Sequence, residues 1–146
     1  MADCSIRPFN ELSVYELNLI YRLRSEVFIV EQNCAYNDVD EIDLISHHLL
    51  IKEDGLLLAY CRVYNIDKIY HIGRVVVKKD KRQFGLGKIV MKEALDYCKK
   101  ENSQAKIEIS AQSYLIRFYN EMGFKEEGEG YLEDGIPHVK MKFFEL

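Results

Sequence analysis

The sequence predicts an α+β fold: a mixed, mostly antiparallel central sheet with helices on both faces, built as one domain over residues 1–146. The first observation behind this is the order of periodic segments, which reads helix, three strands, helix, strand, helix, two strands, with room for a short strand before the first helix. The second is that the helical segments each carry a one-sided apolar stripe, so each has a face to bury against a sheet. The third is economy of breakers. With 146 residues, 48% of them hydrophobic, and only two prolines and eight glycines, the chain can bury a core but has little material for a linker.

Each element has a local reason. Ser13-x-x-Glu16 is a capping box flanked by Leu12 and Leu17, so a helix is expected to start there and to continue through Ile20, Leu23 or Arg24, Val27 and Phe28 to about Val30. The polar stretch from Asn33 to Asp43 reads as a loop or broken helix. His47 to Lys52 and Leu56 to Tyr64 flank Glu53-Asp54-Gly55, a hairpin turn, and Asn65-Ile66-Asp67 turns the chain into a third strand from Lys68 to Lys78. Gly87 to Lys100 is a helix whose stripe is Gly87, Val90, Met91, Ala94, Leu95 and Cys98. Ala105 to Ala111 alternates as a strand. Ser113 to Met122 reads as a helix closed by Gly123 in the left-handed conformation, followed by strands near Phe124 to Gly128 and Pro137 to Phe144.

Composition excludes several classes of function. The four cysteines have neither CxxC pairing nor metal-ligand spacing, which fits reduced thiols in a cytoplasmic protein and no metal. No basic-then-apolar leader and no run of about 20 apolar residues suggests secretion or a membrane span. A net charge of −4 gives no global support for nucleic-acid binding, although Lys78, Lys79, Lys81 and Arg82 crowd around Asp80. Asp38, Asp40, Glu41 and Asp43 either draw a cationic amine or form a solvated loop, and calcium is disfavoured because the EF-hand order is absent.

That basic run is the most informative stretch. A valine-rich strand, Val75-Val76-Val77, enters a turn containing Gly85 and Gly87, and a long helix begins at the turn's end. A helix N-terminus presents unpaired N–H groups and a partial positive charge. Adding Arg82 and Lys88 to that end is costly unless an anion sits there, so the turn reads either as a phosphate site or as a solvated basic turn with a glycine bend. It is neither a P-loop, since Arg82 and Ile89 occupy positions that need Gly and Ser or Thr, nor a dinucleotide fingerprint, since position 90 is Val.

Arg82-x-x-Gly85-x-Gly87 resembles the pyrophosphate signature of the GNAT N-acetyltransferases, Gln/Arg-x-x-Gly-x-Gly/Ala, and Phe118-Tyr119-x-x-x-Gly123-Phe124 matches the family's second landmark. Arg24 to Gln32, Asp38-Val39-Asp40, Ala111-Gln112 and Glu133 to His138 are similar to the ElaA-like branch. The resemblance implies acetyl-CoA as cosubstrate, with Val75, Val76 and Val77 contacting the pantetheine arm through their backbone, and Arg82, Gln83, Phe84, Gly85, Leu86, Gly87 and Lys88 holding the phosphates. It implies an oxyanion donor near the Val76 N–H and Tyr119 as general acid, where the residue alone reads as a core aromatic. For the general base, Glu31, Asp38, Asp40, His48 and His138 all stand as candidates, and Glu31, Asp38 and His138 are candidates for contact with the acceptor. The implied partner is a small-molecule or peptide amine, and the protein is expected to be a monomer or homodimer. A non-catalytic acyl-CoA-binding or sensing domain is the alternative.

Overall fold

A computed structural model describes residues 2–144. Seven strands form one sheet: β1 (Asp3–Pro8), β2 (His47–Glu53), β3 (Leu56–Ile66), β4 (Ile69–Val77), β5 (Lys106–Gln112), β6 (Phe124–Glu133) and β7 (Ile136–Phe143), in the spatial order β1-β2-β3-β4-β5-β7-β6. All pairings are antiparallel except β4 with β5, which is parallel. Parallel neighbours need a crossover, and α3 (Leu86–Glu101) supplies it. The other helices are α1 (Val14–Arg24), α2 (Ile42–Ile45) and α4 (Ile116–Asn120). The expected mixed sheet is thus present, with the short first strand added at its edge.

Helices pack on both faces. On one side, Val90, Met91, Ala94, Leu95 and Cys98 of α3 close over Leu49, Ala59, Cys61, Ile72 and Ile107, joined by Tyr119, Phe124 and Met141. On the other, Ile20 and Leu23 of α1 and the following Val27 and Phe28 cover Leu50, Leu57, Tyr60 and Val76. Burying side chains of this size contributes about 1.5–3 kcal/mol each, so the two layers fix the middle strands firmly.

The start of α1 is as expected: Ser13 Oγ accepts from the Glu16 N–H at 3.0 Å, and Glu16 Oε1 accepts from the Ser13 N–H at 3.0 Å. Its end differs. The α-helix stops at Arg24, and Ser25–Glu31 winds as a π-helix, still burying Val27 and Phe28. The apolar spacing continues across the change, which is why it reads as one helix. The 33–43 region is mostly loop with α2 at its end, and the expected 113–122 helix is a 3₁₀ turn (Ser113–Leu115) followed by α4, with Gly123 at φ 104°. β6 extends past Gly128 to pair with the start of β7 through an Asp134-Gly135 turn, both residues at positive φ.

Two irregularities open the sheet. Tyr60 pairs with Val76 and Arg62 with Gly73, so Arg74 and Val75 together oppose Cys61; the extra residue is a β-bulge with Arg74 at φ 51°. β4 and β5 pair only from Ile69–Lys106 to His71–Glu108, after which β5 stays paired with β7 as far as Gln112. Past His71, β4 therefore has a strand partner on its β3 side alone, and the gap between β4 and β5 is a cleft.

Candidate active site

The cleft has a volume of about 740 Å³. Val75, Val76 and Val77 form one wall, the half-paired edge of β4, and Ser110 and Gln112 of β5 face them. At one end Arg82, Gly85, Gly87 and Lys88 reach the cleft, and Tyr119 lines it from α4. Leu86 instead turns into the core, while Gln83 and Phe84 are exposed on the 3₁₀ turn (Lys79–Phe84) and lie outside the lining.

The turn suits an anion for reasons visible in its backbone. Gly85 takes φ 70°, a conformation easily reached without a Cβ, and thereby aims α3 at the cleft. No side chain caps α3 and no acidic residue lies in its first turn; the Ile89 N–H is bonded to the Gly85 carbonyl at 3.3 Å, leaving the N–H groups ahead of it uncapped. A 16-residue helix with an uncapped, glycine-flanked start is a ready anion site. Arg82 is not idle: its guanidinium pairs with both carboxylate oxygens of Glu31, at 2.5 and 2.8 Å, and its Nε donates to the Val77 carbonyl at 3.2 Å. Arg82 holds the Glu31 carboxyl below its ordinary range.

Tyr119 is buried, with its ring edge-on to Phe118 and Phe124. Burial raises its phenol well above the ordinary range, so it stays protonated at neutral pH. Its place in the apolar core and its place in the cleft are both real, because α4 ends at the boundary between them.

The base candidates separate sharply. His48 is closed off: its Nδ1 lies 2.7 Å from the Tyr60 hydroxyl and its Nε2 2.8 Å from the Asp43 carbonyl, and burial lowers its pKa. Asp38 and Asp40 do not form a solvated acidic loop. Arg24, Asp38, Arg74, Asp40, Arg62 and Asp43 make a closed ring of alternating charges, with contacts of 2.8, 2.9, 3.4, 2.6, 2.9 and 2.8 Å in turn. Asp38 is buried, accepts from Tyr36 as well, and lies outside the cleft lining. Its carboxylate is committed to arginines, which is the physical reason to remove it from acceptor contact. Glu31 lines the cleft but is engaged by Arg82. His138 lines the cleft with its ring buried, its Nδ1 2.7 Å from the Ile136 carbonyl and its Nε2 3.4 Å from Glu133.

Sequence reasoning misses Glu133, Ser110 and Gln112 as cleft residues, although Gln112 and Glu133 lie in stretches the resemblance singles out. The signal is in the pairing: β5 and β7 alternate so that Ser110, Gln112 and His138 share the polar face. Among the described residues there is no cluster of three His, Cys, Asp or Glu placed to hold a metal ion. No helix among them is long and apolar enough to cross a membrane.

A splayed parallel pair beside an uncapped helix start is what the resemblance in the sequence implies, and similarity to known proteins shows the family. The family model described as an acetyltransferase (GNAT) domain matches residues 15–144. The chain belongs to the GNAT acetyltransferase family. A UPF0039 protein of Schizosaccharomyces pombe is 47% identical over 137 residues, covering 92% of this chain and 91% of that protein. The crystal structure of Escherichia coli ElaA superposes with a TM-score of 0.93 at 35% identity, covering 99% of this chain and all of that one (100%). That of an acyl-CoA N-acyltransferase from Pseudomonas aeruginosa gives 0.92 at 38% identity, covering 97% and 99%. This GNAT protein is thus ElaA-like, and its family supports acyl transfer from an acyl-CoA.

Proposed function

We propose that this protein transfers an acetyl group from acetyl-CoA to a primary amine of a small molecule or peptide, by direct attack in a ternary complex. The observation that carries the reading is the unpaired edge of β4 leading, through the 3₁₀ turn and Gly85, to the uncapped start of α3. An extended pantetheine arm can add to that edge as a strand would, while the diphosphate meets the N–H groups and Lys88 at the turn.

The chemistry follows from these positions. The neutral amine attacks the thioester carbon, and the oxygen that gains charge accepts a hydrogen bond from a backbone N–H near Val76. Collapse breaks the C–S bond, and Tyr119 gives its proton to the departing sulfur. Burial raises the phenol, so Tyr119 stands as a protonated donor at neutral pH. Tyr119 is the feature that favours an enzyme over a coenzyme-sensing domain.

Two measurements test this. Calorimetry with acetyl-CoA should show one site per chain, and thiol release over a panel of amines and peptides should identify an acceptor. No binding at millimolar coenzyme would sink the whole reading; binding without turnover of any amine would leave the sensing domain.

A further inference from the structure

Three adjacent strands meet at His138. It sits on β7 opposite Gln112 of β5 on one side and Tyr131 of β6 on the other. Its ring is 6% exposed and stacks on Tyr131 at 6.3 Å. The Nδ1 is 2.7 Å from the Ile136 carbonyl, which can only accept, so Nδ1 carries a hydrogen. In the neutral ring, Nε2 is then the lone-pair nitrogen, and it faces Glu133 Oε2 at 3.4 Å. A carboxylate also only accepts. Two acceptors face each other, the imidazole buried and the Glu133 side chain 46% exposed at the cleft surface, so the buried Nε2 is satisfied only by a proton or a donor from outside.

Glu133 does not swing away to relieve this. Its Oε1 accepts from Ser110 Oγ at 3.2 Å, and Ser110 in turn is hydrogen-bonded to the Tyr131 hydroxyl. His138, Glu133 and Ser110 all line the cleft, and Ser110 and Tyr131 reach solvent. The other candidate bases are engaged elsewhere: Glu31 by Arg82, Asp40 by Arg62, and His48 at both nitrogens.

We propose that the acceptor amine enters as its ammonium ion between His138 and Glu133, and that His138 Nε2 takes its proton, with Glu133 as the positioning residue that holds the resulting imidazolium. The inference rests on the acyl-transfer reading above. The ammonium gives one proton to Nε2, and the freed amine forms the C–N bond. Collapse breaks the C–S bond, and the sulfur takes the Tyr119 proton. The new amide nitrogen, still carrying one proton too many, returns it to the Tyr119 phenolate. His138 then passes its proton to solvent by way of the half-exposed Glu133 carboxylate, so every proton is accounted for.

The test compares His138→Ala with the unaltered protein, using the best alkylamine from the panel and hydroxylamine, which is already neutral at pH 7. With the alkylamine, kcat should fall by about 100-fold, the lower end of general-base contributions. Added imidazole should restore about tenfold of that, and hydroxylamine should show a much smaller loss. Acetyl-CoA affinity, measured by calorimetry, should be unchanged, which separates the result from misfolding. Glu133→Gln, whose amide can donate to Nε2, should raise KM for the alkylamine without altering coenzyme affinity. A loss of equal size for both amines with no imidazole rescue would mean His138 only supports the wall, and would overturn the proposal. So would activity within threefold of the unaltered protein, or the rescue pattern appearing at His71→Ala instead. If the unaltered protein turns over no amine at all, the acyl-transfer reading fails and this inference fails with it; turnover with an insensitive His138→Ala sinks the inference alone.

Discussion

Glu31, the last residue of the π-helical segment, closes on Arg82 of the turn that opens α3 with two hydrogen bonds, Nη1 to Oε2 at 2.5 Å and Nη2 to Oε1 at 2.8 Å. Both side chains line the cleft, so the pair ties the end of the π-helical segment to the turn that opens α3. Irregular helix windings of this kind often mark functional positions.

The pair predicts an affinity change of unusual sign. A diphosphate bound to Arg82 has to compete with Glu31, so Glu31→Gln should tighten coenzyme A. Both partners are roughly a third exposed, and such a pair is worth at most about 1 kcal/mol. The expected gain is therefore about three- to fivefold in Kd, and it should shrink at high salt. Calorimetry at low and high ionic strength measures both. A weaker Kd in the variant would mean Glu31 orients Arg82 toward the phosphates rather than opposing them.

The ring of three arginines and three aspartates predicts where stability is lost. Asp43 is 1% exposed and serves both Arg24 and Arg62. Asp43→Ala leaves two buried guanidinium groups short of a partner and should cost about 3–5 kcal/mol in urea unfolding. Burial alone would raise the Asp43 carboxyl, but Arg24 and Arg62 outweigh it and hold it below the ordinary value of 3.8. A carboxyl lowered by folding adds stability that is complete above its unfolded value and disappears as pH falls through its folded one. Glu16 behaves alike: burial raises it, yet the Ser13 N–H, Lys52 and Arg7 bring it from 4.5 to about 2. Urea midpoints should therefore hold steady down to about pH 5 and fall steeply between there and pH 2. A midpoint flat across that window would show that the ring and the cap contribute little.

The turn that opens α3 is legible in the amino-acid order because its signal is local: a glycine at 85, uncommon cations at a helix start, and a strand feeding in. The hairpins and the α3 stripe are legible for the same reason. What escapes is whatever depends on partners distant in sequence. The aspartates at 38, 40 and 43 read as an amine-attracting or solvated loop because their arginines lie at 24, 62 and 74, on three other elements. The π-winding after Arg24 preserves the spacing of Val27 and Phe28 and so leaves no trace in the apolar pattern. The cleft itself exists because the β4–β5 pairing stops at His71, which no local residue announces; the neighbouring β3–β4 bulge is hinted at only by Gly73, a lone glycine inside a strand.

Gly85 separates coenzyme affinity from folding. Its φ of 70° costs a side chain about 1–2 kcal/mol, yet a Cβ there meets no atom within 4 Å. Gly85→Val should thus remain folded, with a modestly lower urea midpoint, while a branched side chain stands in the path of the diphosphate. Coenzyme affinity should drop by about tenfold or more, some 1.4 kcal/mol. An unaltered Kd would remove the turn from the binding site.

Tyr119 gives the clearest separation of chemistry from structure. The ring is 7% exposed and packs edge-on to Phe118 and Phe124. Tyr119→Phe preserves those ring contacts and removes only the oxygen, so unfolding midpoints should stay within about 0.5 kcal/mol of the parent. Coenzyme affinity should hold as well, because the diphosphate and the β4 edge are untouched. If the phenol gives its proton to the departing sulfur, kcat should fall by about 100-fold, with KM for acetyl-CoA little changed. The loss should also depend on the leaving group: a more acidic thiol departs without needing a proton, so an aryl thioester should narrow the gap between Tyr119→Phe and the parent. An equal deficit with both thioesters would assign Tyr119 to positioning, and full activity would return it to the core as an ordinary aromatic.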